Sequence, residues 1–250
     1  MKTSIKFFFC FLFSATAALA QNVTVNIVSY NTHNCIGMDK KLDYQRIADV
    51  INKTSPDIVS LQELDSVTKR NDKFVLQELE ERTQMHAFYA SAIHFQGGSY
   101  GIGILSKEQP LQCRIIPMPG REEKRTMIIA EYKDYVFCAT HQSLTPQDQL
   151  ASVPLIKKAL KGIKKPILMA GDMNSRPTSQ SQQKLRKIFT PLNETSACTF
   201  PANHPDECID YIYGYKKNDY VFNVQKREVI EEPVASDHRP IQVIVRIAPK

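Results

Sequence analysis

Hydrophobic positions along this chain recur mostly with a period of two, in short runs closed off by polar residues. VTVNIVSYN, from Val23, alternates and is rich in β-branched side chains, which predicts a strand. Residues 56–61, 87–90, 111–117, 126–131, 135–140, 167–170, 209–213, 221–229 and 241–247 are predicted strands on the same grounds. Residues 167–170 are apolar at every position, as in a strand covered on both faces. The glycine-rich GGSYGIGILS, residues 97–106, predicts a hairpin turn, since its spacing fits neither a P-loop nor a dinucleotide fingerprint. Helical spacing appears at 43–52, 67–85, 151–162 and 182–189. No repeat, linker or low-complexity stretch divides residues 21–250, which predicts a single domain mixing strands and helices.

Residues 1–20 stand apart. Lys2 and Lys6, an apolar stretch over 7–13, and Ala18-Leu19-Ala20 form the pattern of a secretory signal peptide cleaved before Gln21. The expectation is an exported protein, periplasmic or extracellular. The formal net charge of +6, reduced once Lys2 and Lys6 leave, is compatible with an anionic substrate without indicating one. Lysines 157, 158, 161, 164 and 165 read as a solvated helix face. Cys35, Cys113, Cys138, Cys198 and Cys208 form no CxxC pair, which argues against a thiolate zinc site. In an exported chain Cys198 and Cys208 are candidates to close a short loop by a disulfide.

The chemistry lies where predicted strands end. Asp172 and Asn174 follow the apolar run 167–170 and share a parity, so in extended chain they point to one side. Asn31 and His33 close the first strand in the same way, and Glu63 directly follows the second. His141 ends another strand, Asp210 sits within an apolar pattern, and Asp237-His238 precedes the last strand. A carboxylate beside buried strand is costly unless paired, solvated or metal-bound. Glu63 is therefore a candidate ligand for a hard cation, and Mg²⁺ needs few protein carboxylates. The collection suits metal-assisted hydrolysis at phosphorus.

Six short motifs carry a resemblance: Tyr30-Asn31, Leu61-Gln62-Glu63, Thr140-His141, GDMN at 171–174, IDYI at 209–212 and SDHRP at 236–240. In that order, and across nearly all of residues 21–250, they resemble the endonuclease/exonuclease/phosphatase (DNase I-like) family. The resemblance implies a four-layered α/β sandwich, two packed mixed β-sheets flanked by helices. It implies Mg²⁺, with Mn²⁺ as the alternative, held by Glu63 with Asn31, and Asp237 close to the metal. Asp172 would orient and help deprotonate the attacking water. Asn174 would bind phosphate, His141 and His238 would contact the scissile group, and Asp210 would hydrogen-bond His238.

The departures from family patterns are specific. His33 stands where AP endonucleases carry an acidic residue, and His141 where they carry tyrosine. Cys208 occupies a position at which relatives often have arginine, leaving Arg125 to supply that phosphate contact. His33 and Arg125 join Asn174 as candidate substrate-binding residues. The pattern is similar to DNase I, to sphingomyelinases and, most of all, to small secreted hydrolases. The leading expectation is an exported Mg²⁺-dependent phosphodiesterase, with a phosphatase, a secreted nuclease and a phospholipid-type diesterase kept open. A non-catalytic binding module is the alternative of another class. The expected partner is a phosphoester substrate; no stable protein partner is implied, and a monomer is expected.

Overall fold

The computed structural model describes residues 22–250, so the signal-peptide expectation lies outside the described residues. The chain runs β1 (Val23–Asn31), α1 (Tyr44–Thr54), β2 (Ile58–Ser66), α2 (Val75–Thr83), β3 (His86–Phe95), β4 (Gly98–Ser106), β5 (Gln112–Met118) and β6 (Arg125–Glu131). It continues through β7 (Val136–His141), α3 (Pro146–Ala159), β8 (Ile167–Asp172), α4 (Gln180–Leu185), β9 (Phe189–Pro191), β10 (Asp210–Tyr215), β11 (Tyr220–Val229) and β12 (Ile241–Pro249).

These strands form two six-stranded sheets, ordered β11-β12-β1-β2-β4-β3 and β5-β6-β7-β8-β10-β9. Each sheet is mixed: β1–β2 and β7–β8 are parallel pairs, and β1–β12 and β8–β10 are antiparallel. The period of two decides the layering. In β8, Leu168 and Ala170 pack between the sheets, while Ile167 and Met169 face α3 and α4 with Val153, Ile156 and Leu185. In β1, Val25 and Ile27 join the central layer, whereas Val28 and Tyr30 pack outward with Ile47, Ile51, Leu76 and Leu79 of α1 and α2. Two sheets inside and helices outside make the expected four layers. Ser60 crosses between the sheets, its Oγ donating to the Ala170 carbonyl at 3.1 Å.

The largest helix-boundary differences from the sequence expectation are three. The charged stretch 67–74 is a turn, not the start of α2. Val67 takes a positive φ of 52°, and Arg70 folds back to place its fork on Asp65, with both N···O distances 2.7 Å. Helix α3 starts at Pro146, where a missing N–H costs nothing, and carries Pro154 on its exposed side. Phe189 belongs to β9 rather than to the preceding helix.

Candidate active site

Parallel strands β7 and β8 end at the same level. His141 is the register partner of Asp172, and Asp172 is in turn the partner of Asp210, the first residue of antiparallel β10. Three chemically active side chains thus lie abreast on adjacent strands. Gly171 permits this closeness, because a Cβ there would collide with the Thr140 carbonyl. Arg125 opens β6 on the far side of β7. From the other sheet, Asn31 ends β1, and the loop before β12 brings Asp237 and His238.

Glu63 arrives by a different route from the one its sequence suggests. It does not follow a strand end; β2 continues to Ser66. Between Leu61, opposite Gly103, and Leu64, opposite Gly101, the ladder with β4 slips, and Glu63 adopts a φ of 62°. This bulge turns the carboxylate out of the ladder into the cleft. Asn31 Nδ2 then donates to Glu63 Oε1 at 3.0 Å and to Asp172 Oδ2 at 3.1 Å.

His238 is the most strongly held group. Its Nδ1–H donates to Asp210 Oδ2 at 2.9 Å, Thr199 Oγ1 donates to the same oxygen at 2.6 Å, and His238 Nε2 lies 3.7 Å from Asp172 Oδ2. Burial disfavours the imidazolium, but the charges of Asp210, Asp172 and Asp237 with the Asp210 hydrogen bond outweigh it, and its pKa rises to about 10. His238 is therefore a cation at neutral pH. Asp172 is also buried, yet donors from His141 and the Asn174 N–H, with the His238 charge, hold its carboxyl well below the usual range. It is consequently a good orienting acceptor and a weak base.

Arg125 and Asn174 flank His141. Arg125 Nη1 lies 3.1 Å from His141 Nδ1, Asn174 Nδ2 lies 3.0 Å from His141 Nε2, and that Nε2 is 3.4 Å from Asp172 Oδ2. Asn174 reaches this position although its φ of 47° breaks the strand alternation expected from its parity with Asp172. Arg125 is buried, with Glu123 Oε1 3.2 Å from Nη1. It works on His141 and these glutamates, with one edge in the cleft.

A cleft of about 470 Å³ is lined by Glu63, Asp172, Asn174, Asp237, His141, His238 and Arg125. His33 does not join them. The chain turns at Thr32, His33 takes a φ of 46°, and its Nδ1 pairs with the Ile36 carbonyl at 2.9 Å. It stands behind Asp237, 4.0 Å from Oδ1. Tyr100, Glu123, Phe200 and Glu207 also line the cleft, and sequence reasoning did not find them as site residues. Phe200 packs its ring 4.8 Å from that of His238. Nothing local in the sequence marks these residues.

The donor set fits a divalent cation. Glu63, Glu123, Asp172, Glu207 and Asp237 face the cleft against one arginine and the His238 imidazolium, so an anion would meet net negative charge without a cation beside Glu63. Glu63 and Asp237 offer the oxygen ligands that Mg²⁺ prefers, while the Asn31 amide turns its NH2 to Glu63 and its oxygen accepts from the His33 N–H. Asp172, Asp210 and His238 also bring ligand atoms within 4.8 Å of one another. There, however, His238 Nδ1 is committed to Asp210, which leaves this group less suited to hold a hard cation than Glu63 and Asp237.

A two-sheet sandwich whose buried imidazolium and oxygen ligands converge at one end defines a phosphate-directed centre. Comparison with known proteins agrees: the chain belongs to the endonuclease/exonuclease/phosphatase family, whose sequence model matches residues 28–238. Exodeoxyribonuclease III of Haemophilus influenzae is 27% identical over 145 residues, covering 52% of this chain and 51% of that protein. The matched stretch thus spans about half the length of that curated relative. An endonuclease/exonuclease/phosphatase from Beutenbergia cavernae superposes with a TM-score of 0.74 at 20% identity, covering 90% of this chain and 72% of the other. One from Bacteroides vulgatus gives 0.73 at 18% identity, covering 91% and 100%. At these identities the structural matches speak for the fold.

Proposed function

We propose that the protein is an exported, Mg²⁺-dependent phosphoester hydrolase acting as a phosphodiesterase, working as a monomer. The observation that carries this reading is His238, buried and held as an imidazolium between Asp210 and Asp172, facing the cleft that Glu63 enters. Glu63, steadied by the Asn31 amide, and Asp237 would hold the cation, which supplies positive charge to the phosphate and acidifies a water. Asp172, too weak a base to act unaided, orients the attacking water through its carboxylate. His238 Nε2–H and Asn174 Nδ2 present hydrogen-bond donors to the non-bridging oxygens, where negative charge develops. Asp210 and Thr199 keep the His238 ring from turning. Export rests on the pattern of residues 1–20, and an oxidising compartment suits the facing sulfurs of Cys198 and Cys208, 2.7 Å apart.

The test is hydrolysis of bis(p-nitrophenyl) phosphate and p-nitrophenyl phosphate with Mg²⁺, Mn²⁺ or EDTA, beside Asp172→Ala. Metal-dependent release that vanishes in the variant supports the reading, and preference for the first ester supports a diesterase. Wild-type-like turnover by folded Asp172→Ala would sink the assignment.

A further inference from the structure

A second hollow, of about 610 Å³, opens directly off the catalytic cleft, with Leu144 and Asn174 lining both. A molecule whose phosphate rests on Asn174 therefore has its remainder beside this groove. One wall is the first turn of α3, carrying Gln147; the other runs from Asn174 into the first turn of α4, carrying Thr178 and Gln180. The groove is tied to the cleft through Gln149, whose Nε2 donates to the Asn174 carbonyl at 2.8 Å while its Oε1 accepts from Ser181 Oγ at 3.1 Å. Gln149 is thus fixed. The side chains of Gln147, Thr178 and Gln180, by contrast, are exposed and have no side-chain hydrogen bond to another described residue.

The lining decides what fits. Arg176 is its single charged side chain, and its Nη2 is engaged 3.2 Å from Glu207 Oε1. Among the described residues, no aromatic ring and no carboxylate lines the groove. A nucleic-acid strand calls for repeated cations and stacking faces. The aromatic flank on the other side of Glu63 does not supply them, because Arg70 lies 4.7 Å over the Phe95 ring and 5.4 Å from that of Tyr100, with its fork spent on Asp65. Leu144, Pro146 and Leu150 also line the groove and can take the C–H face of a ring, but an acyl chain laid across it would cover the amides and hydroxyls unpaired. Carboxamides offer a donor and an acceptor on one flat group, which matches hydroxyls.

We infer that this groove binds an uncharged, polyhydroxylated group, a sugar or polyol, esterified to the phosphate that occupies the catalytic cleft. The inference rests on the hydrolase reading above and adds the substrate class to it.

Two probe sets test it: p-nitrophenyl phosphate, glucose 6-phosphate and adenosine 5′-monophosphate as monoesters, and bis(p-nitrophenyl) phosphate, glycerophosphoinositol and a thymidine dinucleotide as diesters. Each is run on the wild-type chain and on the triple variant Gln147→Ala, Thr178→Ala, Gln180→Ala. The expected result is a higher kcat/KM for the polyol ester than for the nucleotide. In the triple variant it falls roughly tenfold or more through KM, with nitrophenyl turnover kept within about twofold. Nitrophenyl turnover with no polyol preference, or with a polyol kcat/KM unchanged in the variant, overturns the groove assignment and leaves the hydrolase standing. If no ester is turned over, the hydrolase reading fails by itself. Saturation-transfer NMR on glucose 6-phosphate then judges the groove: transfer lost in the variant supports it, and equal transfer overturns it. Faster cleavage of phosphatidylinositol vesicles than of glycerophosphoinositol would identify a lipid headgroup as the source of the polyol, and the reverse a free ester.

Discussion

Arg125 Nη1 donates to Nδ1 of His141 at 3.1 Å, and a guanidinium has no lone pair with which to accept in return. His141 Nδ1 is the acceptor in this pair, while Asn174 Nδ2, also a pure donor, stands 3.0 Å from the other ring nitrogen, Nε2. The two donors compete for one lone pair, and Asp172 Oδ2, 3.4 Å from Nε2, favours the proton there and leaves Nδ1 to Arg125. Asn174 Nδ2 retains the Gln142 carbonyl, 3.0 Å away, as its partner. The two histidines of the cleft accordingly differ: one is clamped by carboxylates, the other is a ring whose tautomer Arg125 and Asp172 set together.

Arg125→Met should free that tautomer. The expected result is a loss of kcat of roughly 10- to 100-fold with little change in KM. The ¹⁵N spectrum of the imidazoles checks the cause, with the Nδ1–H form of His141 appearing in the variant and absent from the wild type. A variant that lost only KM would show that Arg125 contacts substrate instead.

Thr199→Val removes the 2.6 Å donor to Asp210 Oδ2, an aspartate whose Oδ1 already lacks a partner. Stability should fall by about 1–3 kcal/mol, the cost of a buried acceptor left less satisfied. Turnover should fall about tenfold as the His238 ring loses its brace. Denaturant melts and kcat measured on one preparation test both.

The raised pKa of His238 has a definite sign in stability. The folded chain binds this proton more tightly than the unfolded chain, so its stabilisation is complete below about 6.5 and is lost as the pH rises through about 10. The unfolding free energy from urea melts should therefore decline across that window by an amount on the order of a few kcal/mol. In His238→Gln that component of the slope should vanish.

Glu63→Gln should uncouple metal from stability. Wild-type protein at a Mg²⁺ concentration 100 times its Kd should gain about 2.7 kcal/mol by mass action. The variant should melt at the same temperature with Mg²⁺ or EDTA. A Mg²⁺-dependent shift that survives in Glu63→Gln would place the cation elsewhere, with the Asp172–Asp210–His238 group the next position to test.

Continuous apolar runs made the central strands legible because they are covered on both faces, as β8 shows, whereas alternation marked strands such as β1. The site was legible for a related reason: a charged residue beside such a strand has little to do there except chemistry. What failed were places where distant residues overrule the local pattern. The stretch 67–74 has helical composition, yet the Arg70–Asp65 fork holds it as a turn. His33 shares parity with Asn31, yet three successive positive φ values, from His33 to Cys35, turn it away from the cleft. Thr199 reaches Asp210, and Phe200 reaches His238, only through the fold of their loop, which no spacing in the sequence encodes.

One consequence follows from the slip at Glu63. Leu61 and Leu64 both pack outward under the helices, with one residue more between them than regular pairing allows. Glu63, at a φ disfavoured for a side-chain-bearing residue, is that surplus residue. Deleting it would leave a regular strand, relieved of about 1 kcal/mol or more of backbone strain, with Gln62 still turned inward and no carboxylate in the cleft. The scaffold and its proposed cation ligand are separable at a single position: a chain of this kind could shed the proposed reaction and hold its shape more firmly for having done so.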